Sequence, residues 1–155
     1  MTTDLKRILL VEDSKQDAEL TLEALEEHHL ANEVVVCRDG AEALDYLNRE
    51  GIFKLRAVGN PAVVLLDLKL PKVDGLQVLE RVKGDPELKT IPVVMLTSSR
   101  EEQDLVRSYK LGVNAYVVKP VEFGSFVKAL KELGLFWAVL NEPPPGSVPR
   151  RGSQG

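Results

Sequence analysis

Five short runs of apolar, largely β-branched residues alternate along this chain with segments whose apolar residues recur at helical spacing. The runs occupy residues 7–11, 33–37, 62–66, 92–96 and 115–118. They are almost wholly apolar, which is the pattern of strands buried on both faces rather than of strands with one wet side. Ala18, Leu22 and Leu25 fall on one face of a helix turned toward a core. Ser14 with Asp17 reads as a capping box at its start, and Ser99 with Glu102 as another before a later helix. Ala41, Leu44 and Leu47 mark a second helix, and Leu76, Leu79, Val82 and Lys83 a third that closes at Gly84. Leu105 and Tyr109 carry a fourth, ended by Gly112, and residues 126–140 a fifth. Five alternations of this kind predict an α/β fold, a doubly wound five-stranded parallel sheet with five helices, because right-handed crossovers place helices on both sheet faces.

The 155 residues, 44% of them apolar, suit one domain with a core sufficient to fold unaided. We expect that domain over residues 1–142 and a disordered tail over 143–155, where Pro, Gly, Ser and Arg replace apolar residues. Residues 48–61 read as an extended helix end followed by a loop. No run approaches the roughly 18 apolar residues of a membrane span. The start, MTTDLKRILLVEDS, lacks the long apolar stretch and small-residue cleavage site of a leader, so a cytoplasmic protein is expected. A net charge of −4, from 20 Lys and Arg against 24 Asp and Glu, speaks against a nucleic-acid binder. Cys37 has no partner for a disulfide or a metal site and reads as a buried packing residue. His28 and His29 read as the C-terminus of the first helix, where positive charge is favourable.

In a doubly wound sheet the functional groups gather beyond the carboxyl ends of the strands. Here the first strand ends in Glu12-Asp13, the third in Asp67, the fourth in Thr97-Ser98 and the fifth in Lys119-Pro120. Three neighbouring carboxylates repel one another and need a cation to stay ionised together. Hard oxygen ligands favour Mg2+. Asp67 can then act as a nucleophile that forms an aspartyl phosphate. Lys119 and the metal would neutralise charge on the transferring oxygens, and the Thr97 hydroxyl would bond one of them.

The strings ILLVEDS, VVLLDLKLPKVDG, VVMLTSS and AYVVKP, in this order, resemble the signatures of the receiver domain of two-component response regulators. The resemblance covers residues 5–135, and the intervals from Asp67 to Thr97 and from Thr97 to Lys119 fit the family. Any one string alone is weak; all of them, each at a strand end, are specific. The resemblance implies strand order 2-1-3-4-5, with Asp67 as acceptor of a phosphoryl group from a sensor histidine kinase. It implies Asp13 and Asp67 as direct magnesium ligands, the Lys69 backbone carbonyl as a third, and Glu12 acting through water. Thr97 and Lys119 would hold the phosphoryl group, Tyr116 matches the family's switch aromatic, and Lys119-Pro120 its cis peptide bond. Pro71 and Gly75 fall in the loop after the acceptor. Glu12 departs mildly from the usual Asp-Asp pair, but its longer side chain still reaches a metal-bound water.

More narrowly, DPELKTIPVVMLTSS, RSYKLGVNAY and Phe136-Trp137 resemble the small regulators paired with bacterial phytochromes, several of which are homodimers. Leu135, Phe136, Trp137, Val139 and Leu140 form an apolar run that suits a contact surface.

Two other functions compete. An aspartate-nucleophile phosphohydrolase would carry a second aspartate two residues after the nucleophile; Lys69 stands there, and no cap domain is available. A non-phosphorylated interaction module would have lost part of the constellation, and none is lost. Nucleotide-binding glycine motifs are absent from the sequence.

Overall fold

The computed structural model describes residues 7–26, 33–56, 59–99, 110, 113 and 115–134. Strands β1 (Arg7–Val11), β2 (Glu33–Cys37), β3 (Val63–Asp67), β4 (Val93–Thr97) and β5 (Ala115–Val118) form one parallel sheet in the order β2-β1-β3-β4-β5. Its helices among the described residues are α1 (Lys15–Glu26), α2 (Gly40–Asn48), α3 (Gly75–Gly84) and α4 (Phe123–Glu132). The fourth helix expected around Leu105 and Tyr109, the Ser99–Glu102 cap, His28-His29 and the tail 143–155 all involve residues outside those described. No described helix is long and apolar enough to cross a membrane.

The pleat sorts each strand's residues onto two faces with a period of two. Leu9, Val11, Val64, Leu66, Val93 and Met95 pack with α2 and α3 residues such as Leu44, Leu47, Leu79 and Val82. Ile8, Leu10, Val63, Leu65, Val94, Leu96, Ala115 and Val117 pack with Ala18 and Leu25 of α1 and Phe126 and Leu130 of α4. Two cores therefore sandwich the sheet, which is why its strands carry apolar residues at every position.

Several boundaries differ from expectation, each for a local reason. β3 and β4 begin one position later than the apolar runs and extend through Asp67 and Thr97. Pro92 has no N–H to give and only its carbonyl joins the ladder, accepting from Val64 at 3.0 Å. At the other end Asp67 pairs with Leu96, and Thr97 with Val118, because backbone pairing does not stop where side chains turn polar. Helix α2 takes in only the first residue of the 48–61 segment. It stops at Asn48 with Arg49 left-handed at φ 57°, and a short 3-10 turn, Gly51–Phe53, follows. The Arg56 guanidinium closes the end of α2, donating to the Tyr46 carbonyl at 2.7 Å and the Gly59 carbonyl at 2.9 Å while lying 4.3 Å over the Tyr46 ring.

Helix α4 starts ahead of residue 126 and does not run on to 140 as one helix. It ends at Glu132, where Leu133 and Gly134 return N–H groups to Ala129 and Lys131, and Gly134 adopts φ 73°. A left-handed glycine just past the last turn is a standard helix stop. Cys37 is fully buried, and burial, then Glu42, Asp39 and Asp45, push its thiol up to about 12, so it is an unreactive packing group.

Candidate functional site

Pleat parity decides which strand-end residues meet. Glu12 continues the Ile8–Leu10 series, Asp67 the Val63–Leu65 series and Lys119 the Ala115–Val117 series, so all three emerge on the face covered by α1 and α4. Lys119 Nζ lies 3.2 Å from Glu12 Oε1, 3.3 Å from Asp67 Oδ2 and 3.1 Å from Asp17 Oδ2. Asp13 has the opposite parity and is exposed at the rim. There it lines an open cleft of about 410 Å³ with Leu68, Lys69, Leu70, Pro71 and Asp74. The Lys119-Pro120 peptide bond is cis.

Thr97 follows Val93 and Met95 in parity and is fully buried. Its backbone carbonyl accepts from Lys119 N–H at 2.7 Å, but its hydroxyl has no hydrogen-bond partner among the described residues. A buried hydroxyl left this way costs about 1–3 kcal/mol, and it leaves a donor that an acceptor oxygen reaching it could satisfy. Tyr116, opposite Met95 in the ladder, is half-buried against the same core.

Burial dominates the electrostatics. Glu12 is wholly inaccessible; burial, then its hydrogen bond to Asp67 and the Asp67 charge, push its carboxyl up to about 7 against Lys119 and the Ser14 N–H. Burial also raises the Asp67 carboxyl, opposed by Glu12 and Lys119 and reinforced by Asp13. For Lys119, burial works to lower the ammonium's pKa, and Asp67, Asp17 and Glu12 outweigh it, so the group stays charged. Carboxylate oxygens of Glu12, Asp13 and Asp67 lie within 4.8 Å of one another. One ammonium does not balance these anions, and an oxygen-lined cluster with surplus negative charge fits a divalent cation.

The loop between β3 and α3 is fixed by its neighbours. Asp74 and Gln77 form a reciprocal capping box at α3, with bonds of 2.9 and 3.0 Å. Lys72 pairs with Asp39 at 3.5 Å, and Gly40 at the start of α2 packs directly on the Val73 carbonyl. Gly75 N–H bonds the Leu68 carbonyl at 3.0 Å, tucking α3 beneath Asp67.

Residues 8–131 match the response regulator receiver domain family. The chain belongs to that family. It is a response-regulator signalling protein, and solved structures resemble it over most of its length. The bacteriophytochrome response regulator AtBRR is 72% identical, with a TM-score of 0.82 over 88% of this chain and 98% of that one. The Mn(2+)-bound form of Rcp1, a response regulator of Synechocystis sp., is 39% identical, with a TM-score of 0.70 over 94% and 99%. The phosphorylated cyanobacterial phytochrome response regulator RcpA is 45% identical, with a TM-score of 0.71 over 85% and 93%.

The geometry brings Glu12, Asp13, Asp67 and Lys119 to one rim and places Lys69 on the cleft that Asp13 lines. Asp17 is the residue that the sequence reading assigned otherwise. The expected capping box is only half formed. Ser14 Oγ accepts from the Asp17 N–H at 3.1 Å, but the Ser14 N–H goes to Glu12 Oε2 at 3.2 Å and the Asp17 carboxylate faces Lys119. An acidic residue in the first turn after a strand-end acidic pair was the available signal, and the local capping pattern explained it away.

Proposed function

We propose that, in this cytoplasmic protein, Asp67 accepts a phosphoryl group from the phosphohistidine of a sensor kinase, and that the acyl phosphate is later hydrolysed at the same site. The observation that carries this reading is the pairing of a half-buried ammonium at Asp67 with a buried Thr97 hydroxyl that has no partner among the described residues. An Asp67 carboxylate oxygen attacks phosphorus, the bond to the histidine nitrogen breaks, and the electron pair stays on the imidazole, which takes up a proton. Lys119 then follows the charge onto the phosphoryl oxygens, and Thr97 donates its hydroxyl to one of them. Asp13, Asp67 and the Lys69 carbonyl would hold Mg2+ directly, with Glu12 acting through water. When bound, the ion supplies positive charge that offsets the carboxylates and the transferring group. The test is site mapping. Acetyl phosphate with magnesium should add one phosphoryl group, and borohydride reduction should mark Asp67 in the corresponding peptide. A mark at any other residue overturns the assignment.

The partner kinase in this reading is a bacteriophytochrome, on the strength of the 72% identity to AtBRR and the likeness to RcpA. Signalling then passes through protein contacts. Thr97 turning toward the phosphoryl group vacates space on the Met95 face, which Tyr116 shares and can enter. One hydrogen bond of about 0.5–1.5 kcal/mol biases states that already coexist. Thr97→Ala should still be phosphorylated, yet lose the amide-exchange changes that a beryllofluoride complex of the native chain shows around Tyr116. Identical changes in both proteins would remove Thr97 from the switch.

The same reading makes the protein a homodimer through the apolar run from Leu135 to Leu140, which lies outside the described residues. Truncation before Leu135 should convert a dimer into a monomer in sedimentation velocity. A full-length chain that sediments as a monomer at high micromolar concentration ends that part of the proposal.

A further inference from the structure

Lys119 is surrounded by three carboxylates of unequal freedom. An ammonium has three N–H donors, and here Glu12, Asp67 and Asp17 engage all of them, at 3.2, 3.3 and 3.1 Å. A new oxygen at Asp67 can bond Lys119 only by displacing one of these acceptors. The Glu12 side chain is 0% exposed, so bulk water cannot take the place of its ammonium. Asp67 is itself the group being changed. The Asp17 side chain is 40% exposed, so water replaces the ammonium at little cost when the pair opens.

The backbone around Asp17 is held independently of that pair. Its N–H goes to Ser14 Oγ at 3.1 Å, and its carbonyl accepts from Thr21 Oγ1 at 3.0 Å. The carboxylate is thus presented to Lys119 from a fixed first turn of α1 and can let go without unravelling the helix. We propose that Asp17 is a positioning residue, the exchangeable counter-ion that holds Lys119 in the resting protein and gives it up to a phosphoryl group on Asp67. This rests on the reading of Asp67 as the acceptor. Asp17 competes with the phosphoryl oxygens for one donor, and so weakens their hold on the site.

The test is a double-mutant cycle on the full-length chain, with beryllofluoride binding measured at saturating magnesium. Asp17→Asn should tighten beryllofluoride binding about fivefold, the scale of one exposed charge-assisted contact. Asp17→Glu, which restores an anion within reach, should return the affinity to the native value. In a Lys119→Met background Asp17→Asn should have no effect, whereas a general field effect or a loosened α1 would act there too. An equal gain in both backgrounds, or no gain with native Lys119, overturns the proposal. Failure of the native chain to bind beryllofluoride at all would instead overturn the acceptor reading, and this inference with it.

Discussion

Asp67→Asn is expected to remove phosphorylation by acetyl phosphate entirely while leaving a protein that, without divalent ion, melts at or above the native temperature. The loss of labelling follows because an amide cannot form the acyl phosphate, and Lys119 alone offers no substitute nucleophile while it is held charged. The stability result follows from burial. Asp67 is only 4% exposed, and burial raises its carboxyl above the ordinary range, so the ionised form strains the folded state at neutral pH. A carboxyl raised in this way costs stability above its folded pKa, and the cost disappears as pH falls below its unfolded value. Asparagine removes that charge, keeps an oxygen for Lys119 and leaves Glu12 and Asp17 on the ammonium. A gain on the order of 1 kcal/mol, or roughly 2–4 °C for a domain of this size, is expected. The gain should grow as pH rises toward neutrality and fade at acid pH. Thermal melts in chelator across that range provide the check. A variant that melts several degrees below the native chain at neutral pH would mean that the pair with Lys119 outweighs desolvation.

Gly75→Ala should damage both stability and phosphorylation, although the change adds one methyl group in a helix. A Cβ at this position would overlap the Asp67 carbonyl oxygen and come within 2.8 Å of the Leu68 oxygen and 2.9 Å of Leu68 Cα. These are backbone atoms at the end of a central strand, so no side-chain rotation relieves the clash. The usual benefit of Ala over Gly in a helix, at most about 1 kcal/mol, is outweighed. Overpacking of this kind costs about 1–3 kcal/mol or more, and the relaxation must move either α3 or the Asp67 backbone. Urea denaturation should show the loss, and the rate of labelling by acetyl phosphate should fall together with it. Gly84, which has nothing within 4 Å of its built Cβ, is the matched control. Gly84→Ala should be neutral or slightly stabilising. Equal behaviour of the two variants would show that the close approach at Gly75 is not limiting.

Much of the fold is local in origin and therefore legible along the chain. Apolar runs, helical spacing and turn residues each depend on neighbours a few positions apart, so β1, β2, β5 and the close of α3 at Gly84 lie where those patterns put them. The strand order followed from the family resemblance, and the pairings agree with it. The residues at the strand ends were also legible, because a buried parallel strand has to release its polar residues at its carboxyl end.

Other features were decided by the tertiary structure alone. The half-formed cap at Ser14 turns the Asp17 carboxylate to a lysine that is distant in sequence, and no local pattern carries that choice. Glu12 and Asp13 are adjacent and chemically alike. Yet pleat parity buries the first, whose carboxyl burial drives up to about 7, and exposes the second. The need for glycine at positions 40 and 75 comes from the Val73 and Asp67 carbonyls, which reach them only once α2 and α3 dock on the sheet. By itself the sequence determined which elements form and which residues stand at the strand ends, since hydrophobic periodicity and backbone propensity act over short range. The tertiary structure decided which of those residues touch, which are dry and which donors remain unpaired, because desolvation and close packing exist only after the two cores have closed on the sheet.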